Sequence, residues 1–158
     1  MNKSALIDKI IKALRAELET YVRAANSSHE EATAEENRAE NKYDTRGLEA
    51  SYLATGQANK VMELEDAISA FEDLKAKSFD DSMIDVGALV ELDQNGEKAF
   101  YFIGPNAGGT EITDGLHEVL VITPQSPLGT QLQSQQQGDR LELTLAGAKH
   151  LIQIVNVC

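Results

Sequence analysis

The hydrophobic period of the chain changes near residue 80. From Ser4 to about Glu36, apolar or small residues recur in alternating steps of three and four, at Ile7, Ile11, Leu14, Leu18, Tyr21, Ala25, Ser28 and Ala32. The alternation returns at Tyr43, Gly47, Ala50, Ala54, Gln57, Val61, Leu64, Ile68 and Phe71. This spacing is typical of helices packed along a seam. Because the two seams are similar in length and almost contiguous, they predict an antiparallel hairpin that bends between about Glu35 and Asp44.

Beyond residue 80 the period becomes two, and nine of the eleven glycines and all three prolines occur there. The pattern predicts strands at Ala88 to Leu92, Ala99 to Ile103, Glu118 to Ile122, Arg140 to Leu145 and His150 to Val157. A short helix is predicted from Ser126 to Gln133, with Ser126 as the N-cap and Pro127 at the first helical position. The predicted fold class is therefore α+β: a coiled-coil hairpin domain at 1–78, with its tip near 35–44, precedes a mostly-β domain at 79–158.

Charge and composition exclude several classes of protein. The chain has 158 residues, with 26 acidic and 14 basic side chains and a net charge of −12, which disfavours unaided binding to a nucleic-acid backbone. Its one cysteine, Cys158, excludes an intramolecular disulfide framework and a Cys-x-x-Cys metal motif. No apolar run approaches the roughly 18 residues of a membrane span, and the N-terminus lacks a signal-peptide core. We therefore expect a soluble, cytoplasmic protein.

Two segments resemble motifs of the bacterial Gre family of transcript-cleavage elongation factors. The first is Ile122-Thr123-Pro124-Gln125-Ser126-Pro127-Leu128-Gly129-Thr130-Gln131-Leu132, followed by Gly138-Asp139-Arg140-Leu141-Glu142-Leu143. It is similar to the C-terminal signature of the family. The second is Glu40-Asn41-Lys42-Tyr43, which resembles the Glu-Asn-x-x-Tyr of the family's hairpin tip but is one residue shorter. The resemblance covers essentially the whole chain.

The resemblance implies a bacterial transcription elongation factor whose FKBP-like C-terminal domain docks on RNA polymerase, with Ser126, Pro127 and Leu128 at the contact. The hairpin would enter the secondary channel, where tip carboxylates help to hold a second catalytic Mg²⁺, so that the polymerase cleaves backtracked RNA. Glu36 and Glu40 are the candidate catalytic and metal-binding residues. The chain itself would be no enzyme, would bind no cofactor stably, and would meet nucleic acid only through the elongation complex. We expect a monomer.

The tip departs from the family pattern, which places Asp-x-x-Glu before the Asn. Alignment on Glu40-Asn41 puts Asn37 at the first acid position, whereas alignment on Tyr43 puts Glu36 there and Ala39 at the second. Each alignment keeps one acid, although Glu36 and Glu40 would share a face of a helix. The neighbouring candidates are Asn37, Asn41, Tyr43 and Asp44. The altered tip supports a second hypothesis, a Gre-fold protein that binds the channel and modulates or inhibits polymerase without cleavage.

Three further interpretations stay open. The tip acids can be an ordinary solvated surface with i,i+4 partners. The β domain can be a chaperone or prolyl isomerase, although Phe100, Tyr101 and Phe102 lie on one strand and at most two can share a side. The seams can also pair between chains as a coiled-coil scaffold, in which case the bend does not exist.

Overall fold

The computed structural model describes residues 1–33, 46–79 and 82–158. Within these ranges the chain forms two long helices, a short helix and a six-stranded sheet. In chain order these are α1 (Lys3–Thr33), α2 (Arg46–Glu72), β1 (Leu89–Gln94), β2 (Glu97–Ile103), β3 (Glu111–Asp114), β4 (His117–Ile122), α3 (Pro127–Leu132), β5 (Arg140–Leu145) and β6 (Ala148–Val157). The α+β prediction is confirmed, with two long helices before a mostly-β part that contains one short helix.

Packing of the Cα atoms divides the chain into two units. Leu14–Ile68 forms the helical unit, while Met1–Ala13 and Ser69–Cys158 together form the sheet unit. The start of α1 and the end of α2 therefore belong to the sheet unit. Because packing does not establish which segments fold independently, the domains 1–78 and 79–158 stay a prediction.

In the helical unit, α1 and α2 run antiparallel along the predicted seam. Leu14 of α1 is buried there, as are Leu64, Ala67 and Ile68 of α2. Across the seam, Lys60 Nζ of α2 lies 3.8 Å from Glu17 Oε1 of α1. The same ammonium lies 5.9 Å from the ring centroid of Tyr21. Each fully buried aliphatic side chain contributes roughly 1.5–3 kcal/mol, so the seam is held mainly by these apolar residues.

The strands of the sheet unit follow the order β3-β4-β2-β1-β6-β5. Only β2 and β4 pair in parallel among these neighbours; the other pairs are antiparallel. Between β1 and β6 the register shifts, because Glu91 pairs with Asn156 while Leu92 pairs with Ile154. Val155 is thus the extra residue of a β-bulge.

The two faces of the sheet are covered differently. On the α3 face, Leu128 and Leu132 of α3 join a core with Val90, Leu92, Ile103, Ile122, Leu143, Ile152, Ile154 and Val157. On the opposite face, Phe71 of α2 packs against Phe102 with ring centroids 6.1 Å apart. A Cβ on Gly104 would come within 2.8 Å of Phe71 Cζ and of Val121 Cγ1, so this glycine permits the close approach.

Lys9 ties the first turns of α1 to the edge strand β3. Its ammonium donates to Asp114 Oδ1 at 2.7 Å and to the Thr113 carbonyl oxygen at 3.2 Å. The hydrogen bond from Lys9 to the Asp114 carboxylate is the main reason that the pKa of Asp114 lies below its ordinary value. The pair fixes the end of the β3–β4 hairpin to the helical layer of the sheet unit.

One strand is missing from the sequence prediction. β3 has four residues, of which Ile112 is the only buried one, so the hydrophobic pattern gives little signal there. The two-residue loop between β3 and β4 is Gly115-Leu116, and a glycine at the first loop position is typical of a type II′ hairpin turn, so Gly115 could have located this turn. Gly115 indeed has φ +65°, and Asp114 pairs with His117 across the turn.

Candidate functional site

The predicted tip residues lie outside the described residues. Glu36, Asn37, Glu40, Asn41, Tyr43 and Asp44 all belong to the segment between α1 and α2 for which the structure gives no description. Their catalytic, metal-binding and neighbouring roles therefore stay predictions. Over the ranges that are described, no group of three or more His, Cys, Asp or Glu side chains could hold a metal ion.

The second candidate region, the start of α3, is described in full. Ser126 is the N-cap: its backbone is extended, with φ −66° and ψ 156°, and its Oγ accepts a hydrogen bond from Gly129 N at 3.0 Å. The same hydroxyl donates to the Thr123 carbonyl oxygen at 2.7 Å. Pro127 follows in the first turn, where a missing N–H costs nothing. The predicted cap and helix start are confirmed.

Gly129 is required by the backbone around it. A Cβ at this position would overlap the Thr123 carbonyl oxygen and would lie 2.9 Å from Ser126 Oγ. The residues Ser126, Pro127 and Gly129 of the Gre-like signature thus have a complete structural explanation within this chain. Their presence by itself does not require a partner.

Of the three residues predicted to contact polymerase, only Pro127 is exposed. Leu128 retains 8% exposure and packs in the core of the α3 face. Ser126 is half-buried, and its hydroxyl already serves both Thr123 and Gly129. Pro127 is therefore exposed at the surface, while Ser126 and Leu128 on either side of it are held by the fold. Their role in polymerase binding stays a prediction.

Gln131 links α3 to the edge strand β5. Its Oε1 accepts from Thr144 N at 2.8 Å, and its Nε2 donates to the carbonyl oxygens of Thr144, at 3.3 Å, and Pro127, at 2.9 Å. The side-chain amide thus takes the place that a neighbouring strand would occupy beside Thr144. Sequence reasoning included Gln131 in the signature but gave it no role, because nothing local in the sequence indicates that α3 lies against β5.

The aromatic residues of β2 are divided between the two faces. Tyr101 packs against the core of the α3 face, whereas Phe102 is fully buried against Phe71 on the other. Phe100 shares the face of Phe102 and lies against His117, with ring centroids 4.6 Å apart. The expectation that at most two of these rings share a side is met.

Within the described part of the chain, no helix has a sufficiently long apolar stretch to span a membrane.

Comparison with known proteins gives matches among solved structures. No protein-family model matches the chain, and no curated protein matches it. The chain is similar to the structure of GreA factor homolog 1 (Gfh1) of Thermus thermophilus, with 21% identity, 94% of each chain covered and a TM-score of 0.40. It is similar to Gfh1 of Thermus aquaticus, with 21% identity, 95% of this chain and 92% of that chain covered, and a TM-score of 0.41. It is also similar to the prokaryotic transcription elongation factor GreA/GreB from Nitrosomonas europaea, with 19% identity, 73% and 94% covered, and a TM-score of 0.37.

Proposed function

We propose that this chain is a transcription elongation factor that binds RNA polymerase and inserts the segment between α1 and α2 into the secondary channel, where it stimulates cleavage of backtracked RNA. The observation that carries the proposal is the antiparallel pairing of α1 and α2, seen in the contact of Glu17 with Lys60. Glu36 and Glu40 lie about midway in sequence between these paired residues. A helical pair of this length is the arrangement that a narrow channel can admit.

Glu36 and Glu40 supply the chemistry in this proposal. Carboxylate oxygens are hard ligands of the kind Mg²⁺ prefers, and the donor set of this segment fits that ion. When bound at the polymerase centre, the ion would stabilise charge on the attacking and leaving oxygens of RNA hydrolysis. The chain would contribute ligands and orientation, while polymerase performs the reaction. The chain is then a factor for an enzyme and holds no stable cofactor of its own.

The start of α3 would be the docking element on the sheet unit. Pro127 is exposed, and the bonds of Ser126 and Gln131 hold it in one position. A rigid, exposed proline loses little conformational entropy on binding. We expect Pro127→Ala to weaken polymerase binding while the fold is kept. Pro105→Ala, which makes the same change in the β2–β3 connection, is the control and should bind as the unsubstituted chain does.

A cleavage assay tests the function directly. The protein is added with Mg²⁺ to stalled, backtracked elongation complexes, and shortening of the RNA 3′ end is measured beside a separate binding measurement. Glu40→Gln and Glu36→Gln should reduce cleavage at saturating protein without loss of binding. Glu65→Gln, an exposed substitution on α2, should change neither. No shortening by the unsubstituted chain, with binding confirmed, would remove the cleavage activity.

That outcome would favour the second candidate, a channel-binding protein that modulates or inhibits polymerase without cleavage. The observation behind it is Asn37, which stands at the first acid position when the tip is aligned on Glu40-Asn41. An amide oxygen carries no charge, so one carboxylate is lost from a site that rests on few of them. If this is the cause, Asn37→Asp should confer RNA shortening on a chain that otherwise only binds. Failure of Asn37→Asp would show that more than this one carboxylate is missing.

A further inference from the structure

A groove of about 450 Å³ lies at the β3-β4-β2 end of the sheet unit, and it is lined in part by Ala99, Tyr101 and Leu120. The pairing registers place these three residues on the α3 face, in line with Val90 and Ile122. Tyr101 and Leu120 pack against the core but stay only half-buried. Burial raises the pKa of the Tyr101 hydroxyl above its ordinary value. The floor of the groove is therefore apolar, and it is only partly covered by the core that includes Leu128 and Leu132 of α3.

The rim of the groove combines one exposed apolar side chain with two acidic ones. Leu116, in the β3–β4 turn, is 99% exposed at one side. Glu111 pairs directly with Leu120, and Glu118 pairs with Thr113, so both carboxylates belong to the α3 face. As diagonal neighbours on one face, they lie roughly 7–8 Å apart between their Cα atoms. Both side chains are exposed.

Two other titratable side chains that line the groove, Lys98 and His117, belong to the opposite face of the sheet. On that opposite face the ammonium of Lys98 pairs with Glu91 at 2.6 Å, and Lys149 pairs with Glu142 at 2.7 Å. Among the residues that the structure describes, no ion pair involves Glu111 or Glu118. Two like charges close together on one face repel each other, and a cation brought between them removes that cost.

We infer that this groove is a docking site for a protein segment in which an apolar side chain is flanked by lysine or arginine. The apolar side chain would cover Tyr101 and Leu120, and the cations would lie over Glu111 and Glu118. An apolar centre with a charged rim is the usual anatomy of a protein interface, and the charges set the choice of partner. The inference goes beyond the proposed function, because it depends on neither RNA cleavage nor the tip acids.

The test is a titration of the full chain, labelled with ¹⁵N, by two short peptides followed by NMR. The first peptide is acetyl-Ala-Lys-Phe-Lys-Ala-amide, and the second replaces both lysines with glutamate. We expect the lysine peptide to shift the amide signals of Tyr101, Leu116 and Glu118 in a saturable way. The glutamate peptide should leave them unchanged. Equal shifts by the two peptides would overturn the charge selectivity, and the absence of shifts at these amides up to millimolar peptide would overturn the site.

A matched pair of variants separates the groove from the overall charge of the chain. Glu118→Lys should weaken binding of the lysine peptide by roughly two- to fivefold or more, since exposed ion pairs contribute about that much. Glu63→Lys changes the net charge equally but lies exposed on α2, and it should leave the affinity unchanged. Equal weakening by both variants would assign the binding to long-range attraction and would refute the groove. The amide spectrum of each variant shows whether the sheet is intact.

Discussion

At the scale of single residues, two glycines provide a direct test of the packing around α3. Gly129 has no room for a Cβ beside the Thr123 carbonyl, whereas a Cβ on Gly56 in α2 would meet nothing within 4 Å. We expect Gly129→Ala to destabilise the fold by about 1–3 kcal/mol or more, because the backbone must shift. Gly56→Ala should stabilise the chain by roughly 0.5–1 kcal/mol, since Gly is a poor helix former. Urea unfolding of both variants measures the two changes, and a neutral Gly129→Ala would contradict the observed close approach.

Asp114 should make the fold sensitive to acid. Its pKa is held below the ordinary value of 3.8, chiefly by the hydrogen bond from Lys9. A carboxyl with a lowered folded-state pKa stabilises the fold above its unfolded pKa, and this contribution disappears as the pH falls through the lowered value. Asp114→Asn should therefore be less stable than the unsubstituted chain near neutral pH, and the difference should shrink below about pH 4.

Urea midpoints measured across that pH range check the expected convergence. Asp66→Asn, at an exposed position on α2, is the control, and its difference from the unsubstituted chain should not change with pH in the same way. A constant difference for Asp114→Asn would show that the Lys9 contact contributes nothing to acid sensitivity.

At the scale of elements, the sequence predicted best where the periodic pattern was long. Both helices and all the longer strands were found within a few residues of their observed bounds, because each repeats its apolar period several times. β3 was missed because four residues with one buried side chain carry almost no period. The parallel pairing of β2 with β4 could not be derived either, since it joins segments that are not consecutive strands. Local patterns specify an element, whereas its neighbours depend on the whole sheet.

In the candidate sites too, local features could be predicted from the sequence, whereas contacts between separate elements could not. Ser126 and Pro127 were predicted as a helix start because capping depends on neighbouring residues in the sequence. Gln131 and the groove at Tyr101 were not foreseen, because both depend on contacts between separate elements. Leu128 was predicted as a polymerase contact from family resemblance alone; the structure shows it buried in the core of the α3 face, and the contact stays a prediction.

Gln131 should determine how firmly α3 is held on β5. Gln131→Ala removes the acceptor for Thr144 N and the donor to Pro127 O, and the loss should be about 1–3 kcal/mol. Hydrogen exchange at the Thr144 amide should become faster, while the neighbouring Leu143, which lies in the core, should change less. Gln131→Glu keeps an acceptor for Thr144 N but has no donor, so it should protect Thr144 better than alanine does. Equal exchange at Thr144 in all three proteins would contradict this role.

At the scale of the whole molecule, the pairing of α1 with α2 inside one chain predicts a monomer. In the described part of the seam, Leu14, Leu64 and Ile68 are buried within the single chain, so these side chains leave no apolar surface to drive association. We expect sedimentation equilibrium to give a mass of 17.2 kDa at all concentrations up to the high micromolar range. A mass that doubles with concentration, accompanied by rising helix content, would instead support pairing between chains.

The two edge strands have a consequence for how the molecule behaves in a crowded solution. Lys9 takes the outward Thr113 carbonyl of β3, and Gln131 takes both backbone groups of Thr144 on β5. Open strand edges are the usual starting points of fibril growth, and native proteins protect them with charged or polar side chains. Lys9 and Gln131 therefore protect the two edge strands against pairing with other chains. Conditions that break their contacts with Thr113 and Thr144 should make the protein precipitate.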